Sequence, residues 1–346
     1  MKAAVLRKPF DIVIQDLPTP KIGRDEVLIK VVACSICGSD LHCYDGLKPI
    51  YPKLLGHEIA GVVARVGEDV KGVRIGERVS PDEDIRCGAC RWCTSGRSNL
   101  CVKITGLGRA VMDSAYNGGY AEYVRVPAVN LHSIPDNIPF EQACVAQTLG
   151  VAYHAVVDRG NIQPGEFAVV LGAGPIGLSA LAAAKAFDAK VLITDVVPHR
   201  LEVAKRMMAD FVVDTSKEDL VKRVMDLTAG VGADKVFECV GGHAHDVTLK
   251  QAMEVARTAG RIVVVGMVST PPYKQIDLGK MYRWEVELVA SRGSNTRIGA
   301  TLKLMGEGKI DVSPMITHIM PLEEVRRGLD LMYKKAENVV KVVLKP

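Results

Sequence analysis

Residues 169–177 read Val-Val-Leu-Gly-Ala-Gly-Pro-Ile-Gly, and no other stretch of the chain restricts its fold as tightly. Gly172, Gly174 and Gly177 stand in G-x-G-x-x-G spacing, after an apolar β-branched run and before an Ala-rich helical pattern. In that context each glycine has a job. The first permits a tight strand-to-helix turn, the second lets backbone approach a pyrophosphate, and the third lets the helix pack on the strand. The unpaired N–H groups at the new helix start, around Pro175 and Ile176, then face phosphate. Asp195 ends the next strand-like run. A carboxylate there accepts hydrogen bonds from both adenosine ribose hydroxyls and repels a 2′-phosphate, which favours NAD over NADP. Arg200 lies close by and is the residue type that holds the extra phosphate. The alternative is a glycine turn without ligand and an Asp that only caps the next helix.

The rhythm around this motif is that of an α/β protein. Strand-like runs at 168–171, 191–194, 211–213, 235–239 and 262–265 alternate with helical patterns at 176–187, 199–208, 217–228 and 245–258. Residues 286–290 supply a sixth strand. Repeated βα units with β-branched strands predict a doubly wound parallel sheet. Residues 1 to about 145 differ: short β-type runs such as 27–32, 59–66 and 120–126 are separated by Gly and Pro, which predicts an irregular, mostly antiparallel barrel. The chain ends in another strand, 339–344, expected to rejoin the first region. The expected domains are therefore 1–146 with 293–346, and an inserted cofactor domain at 147–292.

Composition excludes several other classes. A net charge of +4 over 346 residues, with no long Lys/Arg block, argues against nucleic acid or a membrane surface as partner. Arg7, Lys8, Pro9 and Asp11 interrupt the N-terminal apolar residues, so no signal-peptide core forms and a cytoplasmic location is expected. The most apolar stretch, 167–187, reads as a buried strand and helix rather than a membrane span.

Nine cysteines are present, four of them as Cys87-x₂-Cys90-x₂-Cys93-x₇-Cys101. Four thiolates at this spacing suit a closed tetrahedral zinc, a structural site within a lobe at about 81–105. Two disulfides or an iron–sulfur cluster are the alternatives. A cytoplasmic redox poise opposes the first, and the second needs an electron-transfer partner. A zinc-ribbon nucleic-acid binder is also compatible with the lobe, but not with the modest charge. Two further polar clusters are Cys37-Gly38-Ser39-Asp40-Leu41-His42 and Gly56-His57-Glu58. Cys, His and Glu are competent zinc ligands. Singly, each reads equally as a buried small residue or a surface hydrogen bond.

Taken in order, these segments, with 118–126, resemble the zinc-containing medium-chain dehydrogenase/reductase family. The likeness is closest to its sorbitol, xylitol, butanediol and threonine dehydrogenase branch. The resemblance implies a GroES-like, mostly-β catalytic domain and a Rossmann cofactor domain. It also implies zinc-dependent hydride transfer between a small polyol or secondary alcohol and NAD, in a dimer or tetramer. Residue by residue it implies that Cys37 and His57 bind a catalytic zinc and that Glu58 binds it or lies beside it. Asp40 would orient His57, Ser39 would touch the substrate hydroxyl, and His42 would pass its proton to solvent. Arg292 would lie near cofactor phosphate or active-site water. Gln147 departs from the pattern, standing where relatives carry Glu or Cys. It offers only a neutral carbonyl oxygen. Cys37, His57 and Glu58 are thus expected as the protein ligands, a formally neutral set around Zn²⁺, with Gln147 adjacent or weakly bound and Cys144 a less suitable substitute. L-Threonine, a sugar phosphate, a cyclitol or an aldose stays open as substrate, as does a silent NAD-binding scaffold. Cys34, Cys43, Cys144 and Cys239 are read as apolar packing, Met207 and Met208 as helix packing, and His243 and His245 as a solvated loop.

Overall fold

The computed structural model describes residues 1–113, 116–266 and 276–346; the side chain of His243 also lies outside the described residues. The chain divides into two compact units.

The second unit comprises Thr148–Ser294 and Lys309–Met315. Its six strands form one sheet in the order Phe211–Asp214, Lys190–Asp195, Phe167–Leu171, Ala233–Glu238, Ala256–Val264, Glu287–Ala290. Every neighbouring pair is parallel. All five residues of Phe167–Leu171 are buried, because a parallel sheet covered on both faces has no solvent side. Helices Pro175–Lys185, Pro198–Arg206, Leu220–Leu227 and His245–Val255 alternate with the strands. Proline opens the first two, where its missing N–H is harmless, and Asp219 caps the third by accepting from the Lys222 N–H. The strand order reverses between Phe167–Leu171 and Ala233–Glu238, and sheets of this kind bind ligands at the carboxyl ends of the strands on either side of such a reversal. The helix expected over 245–258 stops at Val255, since Ala256 turns extended (φ −66°, ψ 133°) and starts the next strand early. Residues 167–187 do form a strand and a helix. No helix among the described residues is long and apolar enough to cross a membrane.

The first unit comprises Met1–Gln147, Asn295–Gly308 and Ile316–Pro346. Gln147 therefore groups here, while residues 293–294 and 309–315 group with the second unit. Strand Glu26–Ser35 is its spine. It pairs antiparallel with Glu58–Val66, Tyr123–Pro127 and the C-terminal strand Lys341–Lys345. The tail thus rejoins the first region as expected. One pair breaks the antiparallel pattern: Ile316–Pro321 runs parallel to Lys341–Lys345. A hairpin of Lys2–Lys8 and Asp11–Asp16 lies in a separate small sheet. Val27, Ile29, Ile59, Tyr120 and Leu344 are among the residues of the core. The register that matters for chemistry is Ser35 opposite both Glu58 and Val343, because it brings the chain's last strand beside the Gly56-His57-Glu58 turn.

Candidate functional site

The spine strand ends at Ser35, and the chain turns into helix Gly38–Tyr44 with Cys37 at its N-cap (φ −95°, ψ 153°). Asp40, in the first helical turn, folds back so that one carboxylate oxygen accepts from the Cys37 N–H at 3.0 Å and from the Tyr120 hydroxyl at 2.7 Å. Its other oxygen lies 3.6 Å from His57 Nδ1. One buried aspartate therefore ties the cysteine turn to the histidine turn, the usual way a metal-binding imidazole is oriented. Gly56 makes the histidine turn possible: its φ is +93°, and a Cβ there would lie 2.5 Å from the Tyr120 ring. Burial raises the Asp40 pKa, but His57 and the two donors outweigh it and hold the carboxyl below its ordinary value. Burial pulls His57 down, yet the Cys37 sulfur and Asp40 win and hold the imidazole well above its usual range. The two shifts are reciprocal: each group favours the charged form of the other, and the Cys37 sulfur adds to the pull on His57. Ser39 and His42 are half-buried on the same short helix.

The Cys37 sulfur, a His57 ring nitrogen and a Glu58 carboxylate oxygen lie within 4.8 Å of one another. A soft thiolate, an imidazole and a carboxylate converging this closely suit zinc. The same carboxylate has a partner that sequence reasoning missed. Lys341 Nζ lies 2.8 and 2.5 Å from its two oxygens, and the Ser35 hydroxyl donates to it as well. Glu58 and Lys341 are 0% and 1% exposed, so the pair is fully desolvated. The signal was one lysine inside the apolar run Val339-Val340-Lys341-Val342-Val343-Leu344. Cys144 borders this cluster rather than a purely apolar region; burial pushes its thiol up to about 12, and Glu58 adds to that. Gln147 is buried in the first turn of helix Ala146–Tyr153. Lys341→Met should destabilise the protein by about 3–5 kcal/mol in urea unfolding, because it strands a buried carboxylate. Adding Glu58→Gln should recover most of that loss; equal stability of wild type and the single variant would refute the pairing.

The four lobe cysteines converge separately. Cys90 and Cys93 sulfurs are 3.6 Å apart, Cys87 and Cys101 sulfurs 3.5 Å, and all four lie within 4.8 Å of one another. A tetrahedron with metal–sulfur bonds of about 2.3 Å sets its sulfurs roughly 3.8 Å apart. The spacing suits one ion. Neither sulfur pair lies at the roughly 2.0 Å of a disulfide bond. Backbone N–H groups of Cys93 and Val102 draw Cys90 down to about 6, while burial and neighbouring sulfurs push Cys93 up to about 12. Four sulfurs competing for so few protons and donors are what a cation would relieve.

At the fingerprint, Gly172 has φ +92°, and a Cβ on Gly177 would sit 1.7 Å from the Gly172 carbonyl oxygen. A Cβ on Gly174 would meet nothing within 4 Å, which leaves that side open to a ligand. Asp195 accepts from the Ala173 N–H at 2.8 Å with one oxygen and from the Val196 and Val197 N–H groups with the other. Arg200 lies 3.6 Å from it. Asp195 thus braces the glycine loop, a role the sequence reading did not assign to it. Arg292 is exposed just beyond strand Glu287–Ala290. His245 corrects an expectation. It is 1% exposed, opens helix His245–Val255, and its Nε2 lies 3.3 Å from Glu238, a buried carboxylate that the sequence reading passed over. Met208 is another correction: it is exposed beyond the end of helix Pro198–Arg206 with φ 64°.

Comparison with known proteins agrees with this arrangement. The family model described as the alcohol dehydrogenase GroES-like domain matches residues 23–136, and that of the zinc-binding dehydrogenases matches residues 175–307. The L-threonine 3-dehydrogenase of Bacillus subtilis (strain 168) is 37% identical over 347 residues, covering 97% of this chain and 96% of that protein. The sorbitol dehydrogenase of the same organism is 34% identical over 355 residues, covering 100% and 97%. Among solved structures, the alcohol dehydrogenase TADH from Thermus sp. ATN1 matches with a TM-score of 0.92 and 32% identity, over 100% of this chain and 99% of that one. Fold and site together define a GroES-like unit joined to a Rossmann unit. The chain belongs to the zinc-containing medium-chain dehydrogenase family.

Proposed function

We propose that this chain is a zinc-dependent dehydrogenase that oxidises a small polyol or secondary alcohol with NAD. The convergence of Cys37, His57 and Glu58 within 4.8 Å, in a chain of this family, carries the reading. Cys37 and His57 hold the ion, and Glu58 serves as the third donor, shared with Lys341. Zinc, when bound, supplies Lewis acidity that lowers the pKa of a hydroxyl it contacts. Asp40 keeps the His57 ring aimed. Lys341 offsets the Glu58 charge and Gln147 is neutral, so the Cys37 thiolate and, behind His57, the Asp40 carboxylate are the anionic groups that would face a bound ion. Ser39 takes the hydroxyl proton and His42 passes it outward. A nicotinamide cofactor, when bound, accepts the hydride. The Gly172–Gly177 turn cradles its pyrophosphate, Asp195 selects the unphosphorylated ribose, and Arg200 and Arg292 lie toward its phosphates. Cys87, Cys90, Cys93 and Cys101 hold a second, structural zinc. We assign the enzyme to the cytoplasm, which cysteines clustered for metal rather than paired in disulfides support. Exposed Leu278 and Tyr282, just before the sheet's edge strand, support a dimer or tetramer.

The test is a panel of polyols, cyclitols, simple secondary alcohols and L-threonine with NAD and NADP, run before and after chelation. We expect turnover of a polyol or secondary alcohol with kcat/KM about tenfold or more higher for NAD. Activity should vanish on chelation and return with Zn²⁺. Full turnover by protein holding zinc only in the lobe would overturn the reading.

A further inference from the structure

Strand Ala233–Glu238 ends on a carboxylate with no place in the chemistry above. Glu238 is 0% exposed and stands in register with Leu171, the residue before the fingerprint turn, on one side and with Val264 on the other. It occupies the carboxyl end of the strand at the reversal point of the sheet, where ligands of this fold bind. Its contacts are specific. Oε1 accepts from the Val240 N–H at 2.9 Å and from the Thr248 hydroxyl at 2.7 Å, and Oε2 faces His245 Nε2 at 3.3 Å. Its main-chain oxygen accepts from the Val265 and Gly266 N–H groups. One residue thereby gathers the turns that follow two adjacent strands.

Those turns touch the cofactor loop. A Cβ on Gly172 would lie 2.6 Å from Val240 Cγ2, and Cys239 N–H donates to the Leu171 oxygen at 3.0 Å. A Cβ on Gly266 would lie 2.1 Å from the Val240 oxygen and 2.9 Å from Glu238 Oε2. Val240 is thus packed against the first glycine of the fingerprint, and the Glu238 side chain fixes the Val240 backbone. Burial pushes the Glu238 pKa up to about 7 against three hydrogen bonds that hold it down, so this carboxyl is kept at an energetic cost. Neutral packing would have served a plain core position better.

We propose that Glu238, held by the Thr248 hydroxyl, is a positioning residue for the dinucleotide: it holds Val240 against Gly172 and so sets the shape of the pyrophosphate turn. This rests on the reading of the Gly172–Gly177 turn as the cofactor site. Direct NADH binding, followed by fluorescence, is the first readout and separates the two claims. Wild type that binds no NADH overturns the cofactor reading and this inference with it. Given binding, Glu238→Ala should raise both the NADH Kd and the KM for NAD by about tenfold, with kcat at saturating NAD and the KM for alcohol changing less than about twofold. Glu238→Gln keeps an acceptor toward Val240 and Thr248 and should restore most of the affinity. If Glu238→Ala does not fold, Thr248→Val removes one hydrogen bond with little change of shape and should raise the KM for NAD by about threefold. An unchanged KM for NAD in whichever variant folds, or an equal rise in both KM values, overturns the proposal.

Discussion

Cys37→Ser should yield a folded protein that keeps its lobe zinc, loses the other, and turns over at least about 10³-fold more slowly in kcat/KM. The thiolate is an anionic donor and the softest of the three, and a neutral serine hydroxyl replaces neither property. The fold should survive because the contact that shapes this turn runs from the backbone N–H of residue 37 to Asp40, which the substitution leaves intact. His57→Ala should give the same pattern of metal loss. Elemental analysis alongside steady-state kinetics checks both variants. Near-normal turnover in a Cys37→Ser protein that has shed this zinc would remove the basis for the catalytic assignment.

The second large effect is expected in the lobe. Helix Arg91–Thr94 has no buried residue, Cys87 is exposed, and only Asn99 and Cys101 are buried between residues 86 and 102. Such a segment has no core of its own, so an ion supplies its folding energy, on the order of 10–16 kcal/mol in small zinc-binding peptides. Its other anchors include the Asn295 side chain, which donates to the Gly96 oxygen at 3.3 Å, and Arg109, which pairs with Asp84 at 2.6 Å. Cys90→Ser should open the lobe to limited proteolysis between residues 87 and 101 and lower Tm by about 10 °C, with zinc at Cys37 and His57 retained. A variant that lacks this zinc yet resists protease and melts like wild type would show that the lobe folds without metal.

The second unit was legible in the sequence because its strands are covered on both faces. Val169-Val170-Leu171 and Val191-Leu192-Ile193 read as strands whatever pairs with them, and the glycine spacing located the turn between strand and helix. The first unit was legible only in part. Its spine pairs with a strand more than 300 positions away, and local periodicity carries no record of that partner. The early hairpin of Lys2–Lys8 and Asp11–Asp16 was passed over because charged and apolar residues alternate irregularly across it. Both missed functional groups, Lys341 and Glu238, are buried charges. A charged residue normally reads as solvent-exposed, and its burial becomes visible only once the partner from another element is in place. His245 failed for the same reason: after two glycines it reads as loop, and Glu238 is what gives it an interior position. Cys37, His57 and Glu58 converge because two turns, whose glycines and cysteine are plain in the sequence, bring them together.

The ion pair of Lys341 with Glu58 spans 283 positions. At about 5–20 residues per second, ribosomal synthesis separates the two by about 15–60 s. Throughout that interval the nascent chain carries Cys37, His57 and a carboxylate lacking its counter-charge, while the second unit, almost contiguous in sequence, is free to fold on its own. The spine strand likewise lacks one of its neighbours until Lys341–Lys345 is synthesised, so the first unit completes its sheet only late in translation.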